Sequence, residues 1–180
     1  MKIGITGHTE SLGKFLFEEF SKSNNVVGFS RNNNYDLKNY LKIIEDADSC
    51  DVFINNVYHE TNQEKLFEEL FNKWLNESKT IINILTSAVF NGGSLDRYRN
   101  SKIKLQQKAI KLINNNYHKK VRVVNIYPNT LENNTKYNFE KVKFKEIYDI
   151  INFQLSLPQD LQLTHIDISK TTYYKNNSVI

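Results

Sequence analysis

Residues 1–13 read MKIGITGHTESLG. Residues 2–6 have the apolar character of a short strand, and Phe15, Leu16 and Phe20 then recur at the three-to-four spacing of a helix face. A strand, a glycine-containing turn and a helix in this order direct free backbone N–H groups and the positive end of the helix dipole at one point. We therefore expect an anion, such as a phosphate group, to bind at this turn.

The turn at residues 7–13 differs from the glycine pattern of dinucleotide-binding loops at its centre. Gly7 and Gly13 stand at its first and seventh positions, and Glu10 or Ser11 stands where a middle glycine is expected. By itself, the turn is equally consistent with two glycines that only close a tight strand-to-helix connection.

The composition predicts one globular domain. The chain has 180 residues, of which 39% are hydrophobic and 24% charged. The net charge of +4 is spread along the chain, and the longest basic run is the pair Lys119 and Lys120, so we expect no nucleic-acid partner. No apolar run reaches the length of a membrane span, and the N-terminus begins with a strand rather than a signal sequence. The single cysteine, Cys50, has no partner for a disulfide or a metal site, which favours a cytoplasmic protein and a place for Cys50 in the core or at a loop end.

Strand and helix patterns alternate along the chain. Strands are expected at residues 2–6, 26–30, 50–57, 80–87, 121–126 and 161–168, with a stub of a further strand at 35–37. Helices are expected after the first turn and at 38–46 (with Leu41, Ile43 and Ile44 inward), 65–76, 98–116 and 139–153. Without internal repeats or a linker, this alternation predicts a single α/β domain at residues 1–169, followed by a polar tail at 170–180. The domain is expected to be a Rossmann-like, doubly wound parallel sheet in three α/β/α layers.

The helix at 65–76 has an unusually wide apolar face. Its two adjacent stripes are Leu66, Leu70 and Trp74, and Phe67, Phe71 and Leu75. Such a face is consistent with contact to another subunit and, equally, with burial in the core of one chain.

The end of the second strand is where dinucleotide folds contact the adenosine ribose. An acidic residue there favours NAD, but this chain has Ser30 followed by Arg31. A guanidinium fork matches phosphate oxygens, and the absence of a carboxylate removes repulsion, so the pair favours the 2′-phosphate of NADP over NAD. The alternative is that Arg31 is an ordinary solvated loop charge.

A second group of residues has the chemistry of an acid/base site. Tyr98 and Lys102 lie four residues apart at the start of an expected helix, so their side chains share one face. An ammonium beside a phenol favours the phenolate and makes the tyrosine usable as an acid or base nearer neutral pH. Such pairs also arise by chance, but Ser87 ends a strand at the same sheet edge as the glycine turn, where its hydroxyl can bond a substrate carbonyl. No histidine pairs with Ser87 to activate it as a nucleophile, which argues against a hydrolase.

Taken together and in this order, these motifs resemble those of the short-chain dehydrogenases/reductases over most of residues 2–130. The similar segments are the turn at 7–13 with Thr6, Asp36-Leu37, Asn55-Asn56-Val57-Tyr58, Asn83-Ile84-Leu85-Thr86-Ser87, Tyr98 with Lys102, and Asn125-Ile126-Tyr127-Pro128-Asn129.

The resemblance implies roles for individual residues. Tyr98 would be the general acid/base, Lys102 would bind the nicotinamide ribose and lower the tyrosine pKa, and Ser87 would orient the substrate. A catalytic asparagine is expected in the helix before the serine strand, with Asn62 as the nearest candidate and Asn72 as the alternative. The implied cofactor-binding residues are Gly7, Thr9, Glu10, Ser11, Leu12 and Gly13 around the phosphates, Ser30 and Arg31 at the 2′-phosphate, Asp36 and Leu37 at the adenine, and Asn55, Asn56, Val57, Tyr98, Lys102 and Pro128.

Several positions depart from the family pattern. Ser11 replaces the middle glycine, Val57 and Tyr58 replace a small Ala-Gly pair, and Asn129 replaces a glycine near the nicotinamide. The chain is also short, with little sequence after Pro128 from which to build a substrate lid.

The resemblance implies an NADP-dependent oxidoreductase, with NAD as the alternative cofactor, acting on a small carbonyl or alcohol substrate. It also implies a homodimer or homotetramer formed through the helices at 65–76 and 98–116. Two other functions remain open at this point: a nucleotide-binding module of the same fold with little or no catalysis, and nucleotide-sugar chemistry in the same crevice.

Overall fold

A single parallel sheet with helices on both faces forms the protein. The computed structural model describes residues 1–90, 96–136 and 138–170. Its strands are β1 (Lys2–Thr6), β2 (Asn25–Phe29), β3 (Val52–Asn55), β4 (Thr80–Ile84), β5 (Arg122–Pro128) and β6 (His165–Ile168). Its α-helices are α1 (Ser11–Ser21), α2 (Tyr40–Ala47), α3 (Asn62–Trp74), α4 (Arg97–Asn115) and α5 (Phe144–Ser156). The expected Rossmann-like, doubly wound α/β fold is confirmed.

The strand order is β2-β1-β3-β4-β5-β6. The chain runs outward from β1 to β2 and then returns to place β3 on the other side of β1, so the winding direction reverses between β1 and β3. In open α/β sheets, ligands bind at the carboxyl ends of the strands on either side of this reversal. The order therefore places the crevice beside the glycine turn, which follows β1 directly.

The expected strand stub at residues 35–37 is wrong. A 3₁₀ helix begins there instead, at Leu37–Asn39, and the Asp36 side chain caps it by accepting the Lys38 N–H at 2.9 Å. Because an aspartate side chain competes for nearby backbone donors, it favours this turn over an extended strand. Among the described residues, β2 is thus an edge strand.

Two apolar cores hold the layers together. The helices α1 and α5 cover one face of the sheet, around Ile54, Ile82 and Val124. The helices α2, α3 and α4 cover the other, around Phe53 and Ile81. Successive residues of a strand point to opposite faces, so the central strands, buried on both faces, are apolar along most of their length.

The wide apolar face of α3 is buried within one chain. Leu66, Phe67, Leu70, Phe71 and Trp74 are each at most 1% exposed. The helix lies between α2 and α4 as well as against the sheet, which accounts for the width of its apolar face without a second subunit. The homo-oligomer remains a prediction.

Some expected boundaries and orientations differ from the structure. Leu41, expected to face inward, is 56% exposed, because α2 begins at Tyr40 and presents Ile43, Ile44 and Ala47 to the core. The last helix and the last strand both begin four or five residues later than expected, at Phe144 and His165.

The remaining expectations concern the ends and loops of the chain. Cys50 is fully buried just before β3, in the core. Lys170 forms ion pairs with Glu140 at 3.5 Å and with Glu146, whereas the rest of the predicted polar tail, 171–180, lies outside the described residues, as does the predicted loop containing Gly92 and Gly93. No described helix combines the length and apolar character needed to cross a membrane.

Candidate active site

The glycine turn adopts the backbone of an anion-binding loop. Gly7 has φ +69°, and its N–H donates to the carbonyl of Phe29 at 2.8 Å, which fixes the turn against β2. The N-cap residue of α1 is Glu10, whose side chain makes no capping hydrogen bond. The first N–H groups of a helix have no partner within the helix, so those of α1 are left available for a ligand at this turn.

Ser11 keeps the conformation expected of the middle glycine. Its φ is +49°, in the left-handed region that costs a residue with a Cβ roughly 1–2 kcal/mol. Its hydroxyl accepts a hydrogen bond from Nδ2 of Asn133 at 3.0 Å, which connects the turn to the segment after β5. The substitution by serine therefore preserves the backbone path of the turn while adding a side chain at its edge.

Thr6 aligns the turn with the end of β3. Its Oγ1 accepts the N–H of Asn56 at 2.9 Å and the N–H of Val57 at 3.2 Å, and donates to the Ile54 carbonyl at 3.3 Å. The Asn56 amide also donates to the Thr6 carbonyl at 3.3 Å. These bonds hold the two strand ends that flank the winding reversal at a fixed separation.

A cavity of about 550 Å³, which we call the turn cavity, opens between these strand ends and the end of β2. Ten of the predicted cofactor-binding residues line it: Gly7, Thr9, Glu10, Ser11, Ser30, Arg31, Asp36, Leu37, Asn56 and Val57. Lys38, Tyr58 and His59 line it as well and were not predicted to do so.

Of the two residues expected at a 2′-phosphate, Arg31 has its side-chain donors available to a ligand and Ser30 does not. Arg31 is exposed and forms no ion pair with the described residues. Ser30 is buried, and its hydroxyl donates its one proton to Oδ1 of Asn33 at 3.1 Å. The hydroxyl can therefore only accept a hydrogen bond from a ligand. Lys38 adds a second cation to the same cavity. Arg31 and Lys38 are therefore the positively charged groups that a phosphate would meet here.

A second cavity of about 580 Å³, the serine cavity, lies at the ends of β4 and β5. Ser87, Tyr98, Lys102, Pro128 and Leu12 line it, as the sequence led us to expect of one site. The two cavities share Asn56 and Tyr58 among their lining residues, so they adjoin.

The segment after β5 covers one side of the serine cavity. Asn129, Thr130, Leu131, Asn133, Asn134 and Phe139 line it from that segment. Leu131 and Val142 form an isolated β-bridge at its base, with the Val142 N–H donating to the Thr130 carbonyl at 2.9 Å. A short segment after β5 thus lines this side of the cavity, and the bridge at its base ties it to the rest of the domain.

Tyr98 does not have the lowered pKa that the sequence suggested. Burial raises the pKa of Tyr98 above its ordinary value of 10.0, and a hydrogen bond with the Thr86 side chain lowers it only in part. The Nζ of Lys102 lies 5.6 Å from the centre of the Tyr98 ring. The phenol therefore remains protonated at neutral pH in this structure, in the form that can donate a proton.

Lys102 is 2% exposed, and its ammonium is engaged inside the protein. Its Nζ donates to Oε1 of Gln63 at 2.9 Å and to the carbonyl of Ile84 at 2.8 Å. Both partners are uncharged, so burial lowers the pKa of Lys102 to about 7. Near neutral pH the side chain is present in both charged and neutral forms.

Solved structures of one enzyme family share this architecture. Serine dehydrogenase from Escherichia coli superposes with a TM-score of 0.77 over 96% of this chain and 99% of that chain, at 14% sequence identity. A short-chain dehydrogenase from Burkholderia cenocepacia J2315 in complex with NADP gives a TM-score of 0.75 over 99% of this chain and 92% of that chain, at 15% identity. The chain has the short-chain dehydrogenase/reductase fold. The 3-alpha-hydroxysteroid dehydrogenase from Pseudomonas sp. B-0831, complexed with NADH, superposes with a TM-score of 0.75 over 100% of this chain and 100% of that chain, at 12% sequence identity.

By sequence, the chain matches no protein-family model and no curated protein. At these low identities, the likeness establishes the short-chain dehydrogenase/reductase fold and leaves the role of each side chain to the geometry.

Asn62, the candidate catalytic asparagine, does not contact Lys102, and its neighbour Gln63 does. The Nδ2 of Asn62 lies 3.2 Å from Nδ1 of His59, and Asn62 lines neither cavity. Gln63 is fully buried, and its Nε2 donates to the Asn55 carbonyl at 3.0 Å. Asn72, the alternative, is exposed further along α3. A signal for Gln63 was present in the sequence, because it lies on the same buried stripe as Leu66, three residues later.

The Asn55 side chain makes its hydrogen bonds in the buried interior and does not reach either cavity. It is fully buried and lines neither cavity. Its Nδ2 donates to Oδ1 of Asn83 at 3.0 Å, and Nδ2 of Asn83 donates to Oδ1 of Asn125 at 3.0 Å. These residues are in register on neighbouring strands, so the three amides form a ladder across β3, β4 and β5. Asn55 thereby positions Gln63, and through it Lys102. Gly13 likewise lines neither cavity, because it packs against the carbonyl of Gly7.

The buried ammonium predicts a pH-dependent contribution to stability. The pKa of Lys102 falls from 10.5 to about 7 on folding, so between these values the unfolded chain holds a proton that the folded chain lacks. Stability rises with pH wherever the unfolded state binds more protons. We therefore expect the free energy of unfolding of the wild type, relative to Lys102→Met, to increase between pH 7 and about pH 9 in urea titrations. Lys104→Met, an exposed change on the same helix, is the control; a wild-type minus Lys102→Met difference that stays constant across this range would contradict the prediction.

Proposed function

We propose that this protein is an NADP-dependent oxidoreductase that interconverts a small carbonyl compound and its alcohol, with Tyr98 as the general acid/base. One observation carries the proposal: Ser87, Tyr98 and Lys102 line one cavity, and that cavity adjoins the one formed by the glycine turn. Together with Leu12 of α1 and Pro128 of β5, they line the space in which a dinucleotide and a small substrate would meet.

The turn cavity fits the phosphate end of such a cofactor. The positive φ of Gly7 and of Ser11 curves the backbone around the N-terminus of α1, whose first N–H groups are not capped by a side chain. The structural neighbours described above in complex with NADP and with NADH support a dinucleotide as the cofactor. Arg31 and Lys38 favour the additional 2′-phosphate of NADP.

The bound nicotinamide would supply or accept the hydride. In reduction, the protonated Tyr98 hydroxyl donates its proton to the carbonyl oxygen, and the Ser87 hydroxyl hydrogen-bonds the same oxygen to orient it. The Lys102 ammonium carries three donors, and Gln63 and Ile84 take two, so one remains for a ribose hydroxyl or for the phenolate that forms at Tyr98. Because burial raises the pKa of Tyr98, the phenol is protonated near neutral pH, the form that donates a proton in carbonyl reduction.

Cofactor titration followed by a turnover assay tests the proposal. NADPH and NADH are titrated separately into the protein while the fluorescence of the reduced nicotinamide is recorded, and NADPH oxidation is then followed across a panel of small aldehydes and ketones. We expect saturable binding with NADPH tighter than NADH, and turnover with at least one carbonyl. Failure of both cofactors to bind would overturn the proposal.

The cofactor preference can be tested at one exposed side chain. Arg31→Ala removes the guanidinium opposite the 2′-phosphate, so we expect the Kd for NADPH to rise about fivefold to tenfold, while the Kd for NADH changes less than about twofold. Lys22→Ala, a change of the same charge at the far end of α1, is the matched control. Equal weakening of both cofactors by Arg31→Ala would assign Arg31 a role other than 2′-phosphate recognition.

One observation favours a second function, a nucleotide-binding module with little or no catalysis. Tyr58 stands at the junction of the two cavities, with its ring centre 5.0 Å from that of Tyr98 in an edge-to-face contact. A bulky ring at this junction narrows the passage between the turn and the acid/base group. Tight NADPH binding without turnover on any member of the carbonyl panel would favour this function.

A further inference from the structure

A third cavity, of about 400 Å³, lies at the opposite end of the sheet from the proposed active site. It opens beside the first residue of β5, Arg122, and the loop that leads from α4 into this strand. None of its lining residues lines the turn cavity or the serine cavity. We call it the Arg122 cavity, and its chemistry is independent of the function proposed above.

Arg122 is a buried cation that forms no ion pair with the described residues. It is only 5% exposed. Its Nε donates to Oγ1 of Thr80 at 3.1 Å, and its Nη1 lies 3.3 Å from the Pro158 carbonyl and 3.5 Å from the Leu157 carbonyl. All three partners are neutral, and Nη2 makes no hydrogen bond with the described residues. A guanidinium cannot shed its charge at physiological pH, so its burial calls for an anion nearby.

Two further cations lie at the same space. Lys119 and Lys120 line the cavity, and neither lysine forms an ion pair with the described residues. One carboxylate, Asp160, also lines it, but no ion pair within 4.0 Å joins Asp160 to Arg122 among those residues. The pair Lys119 and Lys120 is the longest basic run of the sequence, and folding places it beside the buried guanidinium. The charge in this cavity is therefore strongly positive and largely uncompensated.

We propose that the Arg122 cavity binds the phosphate group of a small molecule. Nη2 of Arg122 makes no hydrogen bond with the described residues, so its two N–H donors are available to a ligand, and the ammonium groups of Lys119 and Lys120 line the same cavity. Charge-assisted hydrogen bonds of this kind are stronger than those between neutral groups, and the planar guanidinium of an arginine matches the geometry of phosphate oxygens. The volume exceeds that of a lone phosphate ion, so the space accommodates a phosphomonoester as well as the free ion.

NMR titration locates the site directly. The ¹⁵N-labelled protein is titrated with inorganic phosphate and, separately, with ribose 5-phosphate, with the ionic strength held constant by sodium chloride. We expect saturable shifts of the backbone amides of residues 117–122 and 159–162. Equal affinity for both ligands would identify the free ion as sufficient, and tighter binding of the ester would identify a phosphorylated small molecule. Absence of saturable shifts at these amides, or equal shifts with chloride alone, would overturn the proposal.

Two variants test the assigned groups. Arg122→Gln is expected to weaken phosphate binding about tenfold or more, because it removes the buried charge. Lys119→Ala combined with Lys120→Ala changes only side chains at the rim of the cavity, outside the apolar core, and is expected to weaken phosphate binding about fivefold. Lys104→Ala combined with Lys111→Ala removes the same charge from the exposed face of α4 and should leave the affinity unchanged. If the rim variant and this control bind phosphate equally well, the proposal is wrong even if Arg122→Gln does not fold.

Discussion

Replacing Tyr98 with Phe is expected to lower kcat for carbonyl reduction by about 10²- to 10⁴-fold, the usual contribution of a positioned general acid. The phenol is the ionisable donor in the serine cavity that is protonated at neutral pH, because burial raises its pKa and Lys102 is only partly charged. The variant keeps the ring, and with it the edge-to-face contact with Tyr58. We therefore expect the Kd for NADPH to change less than about twofold, which separates loss of chemistry from loss of binding.

The control for this experiment is Tyr148→Phe. Tyr148 lies in α5 on the other face of the sheet, where its ring packs 4.8 Å from that of Phe20, and it lines neither cavity of the proposed site. Removal of its hydroxyl should leave kcat unchanged. Normal turnover by Tyr98→Phe would exclude Tyr98 as the general acid, whatever the cofactor affinity.

Gly13→Ala is expected to destabilise the protein by about 3 kcal/mol, the upper part of the range for overpacking a rigid site. A Cβ at this position would lie 2.0 Å from the Gly7 carbonyl oxygen and 2.7 Å from Nδ2 of Asn56. The carbonyl belongs to backbone that a hydrogen bond from Gly7 to Phe29 already fixes, so it cannot move away without disrupting the turn. The same displacement would separate the N-terminus of α1 from β1, and we expect NADPH binding to be lost together with stability.

Urea unfolding and NADPH titration of the same preparation measure both effects. Ser21→Ala, at the exposed end of α1, supplies the control, because it introduces the same side chain into the same helix without a close contact. An unfolding midpoint for Gly13→Ala equal to that of the wild type would show that the helix and the turn are not packed as closely as the structure places them.

Much of the fold was predictable because parallel strands buried on both faces have a strong sequence signal. The run at Val52–Asn55 ends in a polar residue, and the run at Thr80–Ile84 is followed two residues later by Thr86 and Ser87, as expected of strands that end at a ligand crevice. The prediction at residues 35–37 was wrong because it depended on one side chain: Asp36 bonds to a backbone N–H and starts a 3₁₀ helix. Periodicity contains no information about such a local hydrogen bond.

The partners of the candidate site residues were less predictable than the residues themselves. Ser87, Tyr98 and Lys102 could be assigned to one edge of the sheet, since strand ends and helix starts alternate in a fixed way in such folds. Gln63 and Thr86 were missed because their contacts with Lys102 and Tyr98 depend on how α3, α4 and the end of β4 pack against one another.

The sequence by itself determined the order of strands and helices, the position of the glycine turn and the set of polar residues at the carboxyl edge of the sheet. Only the tertiary structure decided the charge state of that set. Burial of Lys102 against neutral partners lowers its pKa to about 7, and desolvation of the partly exposed Tyr98 raises the pKa of that phenol, the opposite of the lowering expected from its helical spacing with Lys102. The physical reason is that local periodicity fixes which face a side chain occupies, whereas desolvation depends on everything that packs around it.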